Sequence, residues 1–291
     1  MPRSTDVSQS PSRHPDQSAY WNDEAGPRWV ALQERMDTLL APLTATAIDF
    51  AAPARGDHVL DVGCGCGATL LELSPRVGPK GTVLGVDISA VMLALARKRV
   101  EAQGLGNTTL LRADASKHPF EPASVDLAFS RFGVMFFEDS VRAFAAIRRA
   151  LRRGGRIAFI TWRRLSDNPW FLVPYLAAKP LLPPQPPADP EAPGPFRFAD
   201  PDALRRILSE AGFSHVEVTP HDSMMQLAGP GELASALDFA VQIGPVSRAL
   251  ATADAAARAA ATEAIRAELA RHETANGIAL SAGNWLVSAR A

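Results

Sequence analysis

Six residues in the first half of the chain have types and spacing that could do chemistry. Asp61 precedes three alternating glycines, Gly63, Gly65 and Gly67, in the run HVLDVGCGCG. Asp87 closes TVLGVD, 20 residues beyond Gly67, and Asp114 follows LLRA. The glycines let the backbone turn sharply and approach a ligand closely. Their spacing is GxGxG, whereas the dinucleotide fingerprint is GxGxxG with its third glycine packing helix on strand. Pyrophosphate binding is therefore not indicated. An acid placed like Asp87 can accept two ribose hydroxyls. Asp114 can take an adenine amino group, and Asp61 can face a positive or hydrogen-donating group. Taken alone, the glycines also fit an ordinary tight turn.

These side chains need strand ends to hold them. Apolar runs predict strands at about 58–63, 82–87, 108–113, 124–130 and 156–162, alternating with helical patterns at about 90–103 and 139–151 and a helix after the glycines that ends before Pro75. Strand–helix alternation with short turns predicts an α/β fold, an open and mostly parallel sheet covered on both faces. Ligands of such sheets bind outside the carboxyl ends of the strands. Upstream, Trp29, Leu32, Met36, Leu39 and Leu40 predict an amphipathic helix broken near Pro42, with a second helix over 43–52. Both precede the first strand and are free to lie across its ligand edge. Beyond Trp162, residues 163–198 carry a dense proline tract flanked by aromatics, read as an ordered lid. A helix from Asp200, a strand at about 215–220, an alanine-rich helical stretch at 231–274 and a terminal strand at 284–290 complete the pattern. The domain reading is 1–18 disordered, 19–55 an amino-terminal helical lid, 56–221 with 284–291 the α/β core, and 222–283 a helical insertion.

The chain has 291 residues, 47% of them hydrophobic, with a formal net charge of -1 and a pI of about 6.6. There is no global basic field for nucleic acid or an anionic membrane. RRALRRGGR at 148–156 reads better as a solvated helix end than as a nucleic-acid patch. Cys64 and Cys66 are the two cysteines, too few for a disulfide framework or a zinc site; no metal is expected. With no signal-peptide core and no stretch long enough to span a bilayer, a cytoplasmic protein is expected. A carboxylate-rich site would repel a pyrophosphate and suit a nucleoside whose tail carries ammonium and sulfonium charge.

Together, DVGCGCG, the acid of GVDIS, the RADAS segment and SRFGVMFF resemble the class I S-adenosylmethionine-dependent methyltransferases, strongly over about 55–165. The resemblance implies a Rossmann-like three-layer sandwich, its seven-stranded sheet ordered 3-2-1-4-5-7-6 with antiparallel strand 7, plus a helical cap. It implies S-adenosyl-L-methionine as methyl donor and S-adenosyl-L-homocysteine as product. Asp61, Gly63, Cys64 and Gly65 would surround the methionine part, Asp87 would hold the ribose, and Ile88 would pack on adenine with Met92 close by. Asp114 would bind the adenine amino group beside Ala115, and Ser130, Arg131 and Phe132 would line the methyl-transfer end.

The acceptor side is less determined. Methyl transfer needs close, linear approach, which positioning and water exclusion can supply. General-base candidates are His221 and Asp222, both of which also fit a polar turn after strand six. Tyr20, Trp21, Trp29, Trp170 and Tyr175 are candidates for lid or substrate contacts. A small-molecule acceptor in an enclosed pocket is expected. Alternatives are another enzyme using the same cofactor, a protein methyltransferase, or a non-catalytic cofactor-binding interaction protein. An apolar face on the inserted helices would serve either a homodimer or the chain's own cap.

Overall fold

The computed structural model describes residues 16–185 and 189–291. Near-continuous apolar runs build the central strands: β1 (His58–Val62), β2 (Thr82–Asp87), β4 (Val125–Arg131) and β5 (Leu151–Trp162), with β3 (Thr108–Arg112) at one edge. Near the other edge, β6 (Ser214–Ala228) and β8 (Gly277–Arg290) pair along most of their length, and β7 (Glu273–Thr274) adds a short hairpin to β8. The order is β3-β2-β1-β4-β5-β8-β6, with β8 antiparallel to both neighbours. This is the expected order, with β8 as the seventh strand and β7 as an unexpected eighth.

Helices cover both faces. α1 (Gln17–Ala19), a π-helical turn at Tyr20–Glu24 and α2 (Ala25–Ala31) lead into α3 (Gln33–Ala51). α4 (Ala68–Val77) and α5 (Ala90–Ala102) pack beside α3, whereas α6 (Ser140–Ala150) and α8 (Pro201–Glu210) pack together. Alternation along the strands turns Asp61 and Arg131 toward α3 and α4, and turns Phe159 onto Phe144 of α6, ring centroids 5.6 Å apart. Over the far end lies α7 (Pro169–Ala178), which packs on α10 (Gly244–Ala251) and α11 (Ala255–Arg271); α9 (Leu233–Ala240) rests on β6.

Several expectations need correction. The disorder expected over 1–18 falls, for residues 1–15, outside the described residues, but Gln17–Ala19 is a helical turn with Asp16 accepting from the Ser18 amide at 2.8 Å. Pro42 does not break the helix: α3 runs through it. Proline removes one intrahelical bond, but buried Leu39, Leu40, Leu43, Ala47 and Ile48 on both sides keep one continuous face in the core. α4 likewise continues past Pro75. The break comes earlier, at Leu32, so Trp29 and Met36 lie on different helices. The sheet also extends into residues expected to be a helical insertion. Residues 222–228 and 277–283 lie in β6 and β8, where each satisfies the other's backbone, and the helices begin at Leu233.

One buried amide fixes the far end of the site. Asn168 is fully buried. Its Nδ2 donates to the carbonyls of Arg164 (2.9 Å) and Gly283 (3.1 Å), and its Oδ1 accepts from the Gly283 amide (3.2 Å) and Trp170 Nε1 (3.3 Å). It thereby docks the start of α7 on β8 and orients Trp170. Leaving such groups unpaired costs about 1–3 kcal/mol. Asn168→Ala should lower the stability measured by urea unfolding by that amount with an unchanged m-value; an unaltered midpoint would remove Asn168 from this role.

Candidate functional site

The carboxyl ends of β1, β2, β3 and β4 open into a cavity of about 630 Å³. The glycine turn forms its floor. Gly63 and Cys64 donate their amides to the Val86 carbonyl at 2.8 and 3.1 Å, pinning the turn to the end of β2. Gly63 has φ +73°, and a Cβ there would lie 2.7 Å from Gly133 Cα, so only glycine fits between the ends of β1 and β4.

Asp87 is half-buried at the cavity wall. Its Oδ2 accepts from the Gly65 amide and its Oδ1 from the Ser89 amide, both at 2.8 Å. Burial pushes the carboxyl up from its ordinary value, opposed by the amides of Ser89, Gly65 and Ile88. A carboxylate has about four acceptor sites, so two amides leave capacity for a ligand. Asp114, also on the wall, is already engaged: its Oδ1 accepts from the Ser116 amide (2.9 Å) and hydroxyl (2.6 Å), and its Oδ2 pairs with Lys117 Nζ at 3.1 Å. Burial raises this carboxyl, but Ser116 and Lys117 outweigh it and hold it below the ordinary range.

Asp61 lies beneath the wall, with no exposure. Its Oδ2 accepts from the Thr69 hydroxyl, and its Oδ1 has no hydrogen-bond partner. Burial drives its pKa to about 7, against the Thr69 bond and the nearby Arg131, with Asp87 adding to the rise. A buried acceptor left unpaired under a glycine turn is costly to stability and fits a cationic ligand group above it. Burial pushes the neighbouring thiols up as well, Cys66 to about 12 and Cys64 well above its ordinary value, so both are protonated.

Beyond the strand-end acids the cavity becomes aromatic. Phe132 adopts φ +64°, unusual for a non-glycine residue, and its ring stacks on Trp162 at 4.2 Å with 4° between planes. Trp170 and Phe171 continue the wall, 5.1 and 5.7 Å from Trp162. The amino-terminal segment covers the opening. Trp21 meets Phe136 edge-on at 5.0 Å and its carbonyl accepts from Ser89 Oγ at 2.8 Å, while Asn22 Oδ1 accepts from the Ala90 amide at 2.9 Å. Arg28 reaches across to α10, donating to Ser247 Oγ at 2.6 Å and to the Gln242 carbonyl.

Of the expected site residues, Gly63, Cys64, Gly65, Asp87, Ile88, Met92, Asp114, Ala115, Arg131 and Phe132 line this cavity, as do Tyr20, Trp21, Trp29 and Trp170. Ser130 does not. It is buried on the opposite side of β4, where its hydroxyl donates to the Val62 carbonyl (2.7 Å) and accepts from Gly133 N (3.1 Å), shaping the turn that carries Phe132. Tyr175 packs outside the cavity against the core. His221 and Asp222 are also displaced: they sit within β6, and Asp222 pairs with Arg163 Nη1 at 2.8 Å, far out on the sheet edge. None of the described residues lining the cavity is a histidine. Sequence reasoning passed over Trp162, Arg28 and the α9–α10 turn, where Gln242, Ile243, Gly244, Ser247 and Arg248 close the wall. Gly244-Pro245, a breaker in an alanine-rich stretch, was the available signal.

A family model described as a methyltransferase domain matches residues 59–155. The aklanonic acid methyltransferase DauC of Streptomyces sp. strain C5 is 40% identical over 118 residues, 40% of this chain and 54% of that protein, so the chain spans about half the length of this relative. The demethylmenaquinone methyltransferase of Thermus thermophilus is 31% identical over 176 residues, 58% of this chain and 79% of that protein. Among solved structures, the YcgJ protein of Bacillus subtilis superposes with a TM-score of 0.55 at 18% identity, covering 87% of this chain and 97% of its own.

The raised pKa of Asp61 carries a sign. Between the ordinary carboxylate value of 3.8 and about 7 the folded protein binds a proton that the unfolded chain releases. The stability this group contributes is therefore full below the unfolded value and is lost as pH rises through about 7. Ligand-free protein should unfold at lower urea at pH 8.5 than at pH 5.5, and Asp61→Asn should flatten that dependence. Equal slopes in the two proteins would show that Asp61 is not the titrating group.

Proposed function

The chain belongs to the class I S-adenosylmethionine-dependent methyltransferases, and from that membership we propose that it moves the methyl group of S-adenosyl-L-methionine to a small-molecule acceptor held in the enclosed cavity, releasing S-adenosyl-L-homocysteine. The observation that carries this reading is the convergence of Asp87, the Gly63–Gly65 turn, Asp114 and an aromatic compartment on one cavity. The relatives named above support a small-molecule acceptor, since each is named for one.

The residues present fit the cofactor. Asp87 holds the ribose hydroxyls with the acceptor capacity its two amide partners leave. Ile88 packs on the adenine, and Met92 and Ala115 border it. Asp114 accepts from the adenine amino group with a lone pair not taken by Ser116 or Lys117. Gly63, Cys64 and Gly65 let the methionine part lie against the turn, and the unpartnered Oδ1 of Asp61 supplies negative charge beneath the ammonium. When bound, the cofactor supplies an electrophilic methyl carbon on a sulfonium centre.

The chain's own contribution is positioning. Trp29, Phe132, Trp162 and Trp170 hold the acceptor in a water-poor compartment, where fixed geometry can replace much of the entropic cost of bringing two reactants together. His221 and Asp222 have no part in this scheme, and no base is assigned. The segment 16–32 and the residues around Trp170 act as lids over a core that includes α3 and runs through the whole of β6 and β8, with α9, α10 and α11 as cap. We assign the enzyme to the cytoplasm, a reading the two free, buried cysteines support. Among the described residues, no helix is long and apolar enough to cross a membrane.

Titration calorimetry with S-adenosylhomocysteine tests the cofactor assignment, with a nicotinamide dinucleotide as the negative control. Asp87→Asn should weaken the nucleoside by about 1.5–3 kcal/mol, the worth of charge-assisted hydrogen bonds, or roughly ten- to a hundredfold in Kd. Unchanged affinity would exclude Asp87 as the ribose acceptor.

A further inference from the structure

The carboxylates that line the cavity are confined to one end, whereas cations line both, with Arg112 and Lys117 among the acids. The lining carboxylates belong to the nucleoside end: Asp87 and Asp114 close β2 and β3, and Asp16 and Glu138 act on Lys117 beside Asp114. Away from those acids the charged lining residues are all cations, Arg131 on the inner wall beside Asp61 and the glycine turn, and Arg28 and Arg248 at the exposed mouth. Arg131 donates from Nη1 to Thr44 Oγ1 at 2.7 Å and forms no ion pair among the described residues. Of the two carboxylates that act on it through space, Asp37 is engaged by Arg99 and Gln33, whereas Asp61 is held by Thr69 at Oδ2 alone and keeps Oδ1 unpartnered. A desolvated guanidinium with donors to spare and no described carboxylate within ion-pair distance is a ready partner for an anion.

We propose that the acceptor is a flat, conjugated molecule bearing an anionic oxygen, that Arg131 pairs with that oxygen, and that Arg28 and Arg248 draw the anion to the mouth. This rests on the methyltransferase reading and names its substrate class. The Phe132, Trp162 and Trp170 rings border the cavity, held against one another, and supply a fixed apolar wall to a conjugated ring system. An acceptor that arrives ionised also needs no general base, in keeping with the absence of histidine among the described lining residues. The oxygen's lone pair forms the bond to the methyl carbon as the carbon–sulfur bond breaks. The electron pair of that bond stays on sulfur, anion and sulfonium both become neutral, and no proton moves.

The test compares 2-naphthoate with 2-naphthamide, probes alike in ring but not in charge, by calorimetry on the full chain saturated with S-adenosylhomocysteine. Naphthoate should bind at least tenfold more tightly. Arg131→Gln should erase that preference when measured on protein saturated with S-adenosylhomocysteine according to the variant's own affinity for it. Equal binding of acid and amide to the unaltered protein overturns the proposal, and this comparison decides alone if Arg131→Gln does not fold. The proposal also falls if Arg131→Gln weakens S-adenosylhomocysteine tenfold and leaves the acid preference intact, because Arg131 then serves the carboxylate of the cofactor's own amino-acid end. Failure of the unaltered protein to bind S-adenosylhomocysteine at all is a separate result that removes the methyltransferase reading itself.

Discussion

Asp87 ties the ligand end of the molecule together. One oxygen takes the amide of Gly65 in the turn after β1, and the other takes the amide of Ser89 at the start of α5. Ser89 in turn caps α5 through Met92 N and donates to the carbonyl of Trp21 in the amino-terminal segment. Three pieces of chain distant in sequence are thus registered about one carboxylate. Charge-assisted bonds of this kind are about twice as strong as neutral ones. Burial works the other way and disfavours the ionised form, so the amides both position the acid and keep it an acceptor.

A similar opposition governs the aromatic end. The left-handed backbone of Phe132 costs about 1–3 kcal/mol. Stacking on Trp162 returns about 0.5–1.5 kcal/mol, which does not cover the larger figure. Burial of the ring, worth roughly 1.5–3 kcal/mol, supplies the remainder, together with the Phe132 amide bond to the Ile160 carbonyl at 3.1 Å. The strain is thereby held in place by β5, which carries both Ile160 and Trp162, and the ring is fixed at the compartment wall rather than free to turn away.

Strand ends were legible in the sequence, because a strand that must be buried reads as an apolar run and the acid that ends it stands out. Asp61, Asp87 and Asp114 all lie where their runs predicted. The edge of the sheet was less legible. Met225 and Leu227 are buried while Met224 and Gln226 are exposed, a period of two hidden inside a stretch read as helical. The catalytic guess failed for a related reason: His221 followed an expected strand end, but β6 continues for seven more residues and carries it away from the cavity. The role of Ser130 was invisible for a different reason. Its partners, Val62 and Gly133, come together only through pairing of β1 with β4. Trp162 looked like the last residue of a core strand, and nothing local distinguishes a core tryptophan from one that faces a ligand.

The bond from Arg28 to Ser247 makes a single roof from two stretches at opposite ends of the chain. Both stretches lie outside residues 59–155, the part shared with the family at large. Part of the cavity's covering is therefore written apart from the strand ends that form its floor, while Arg131 and Phe132 on its wall lie within the shared part. Substitutions in the roof can reshape the cavity's mouth while the strand-end acids stay fixed.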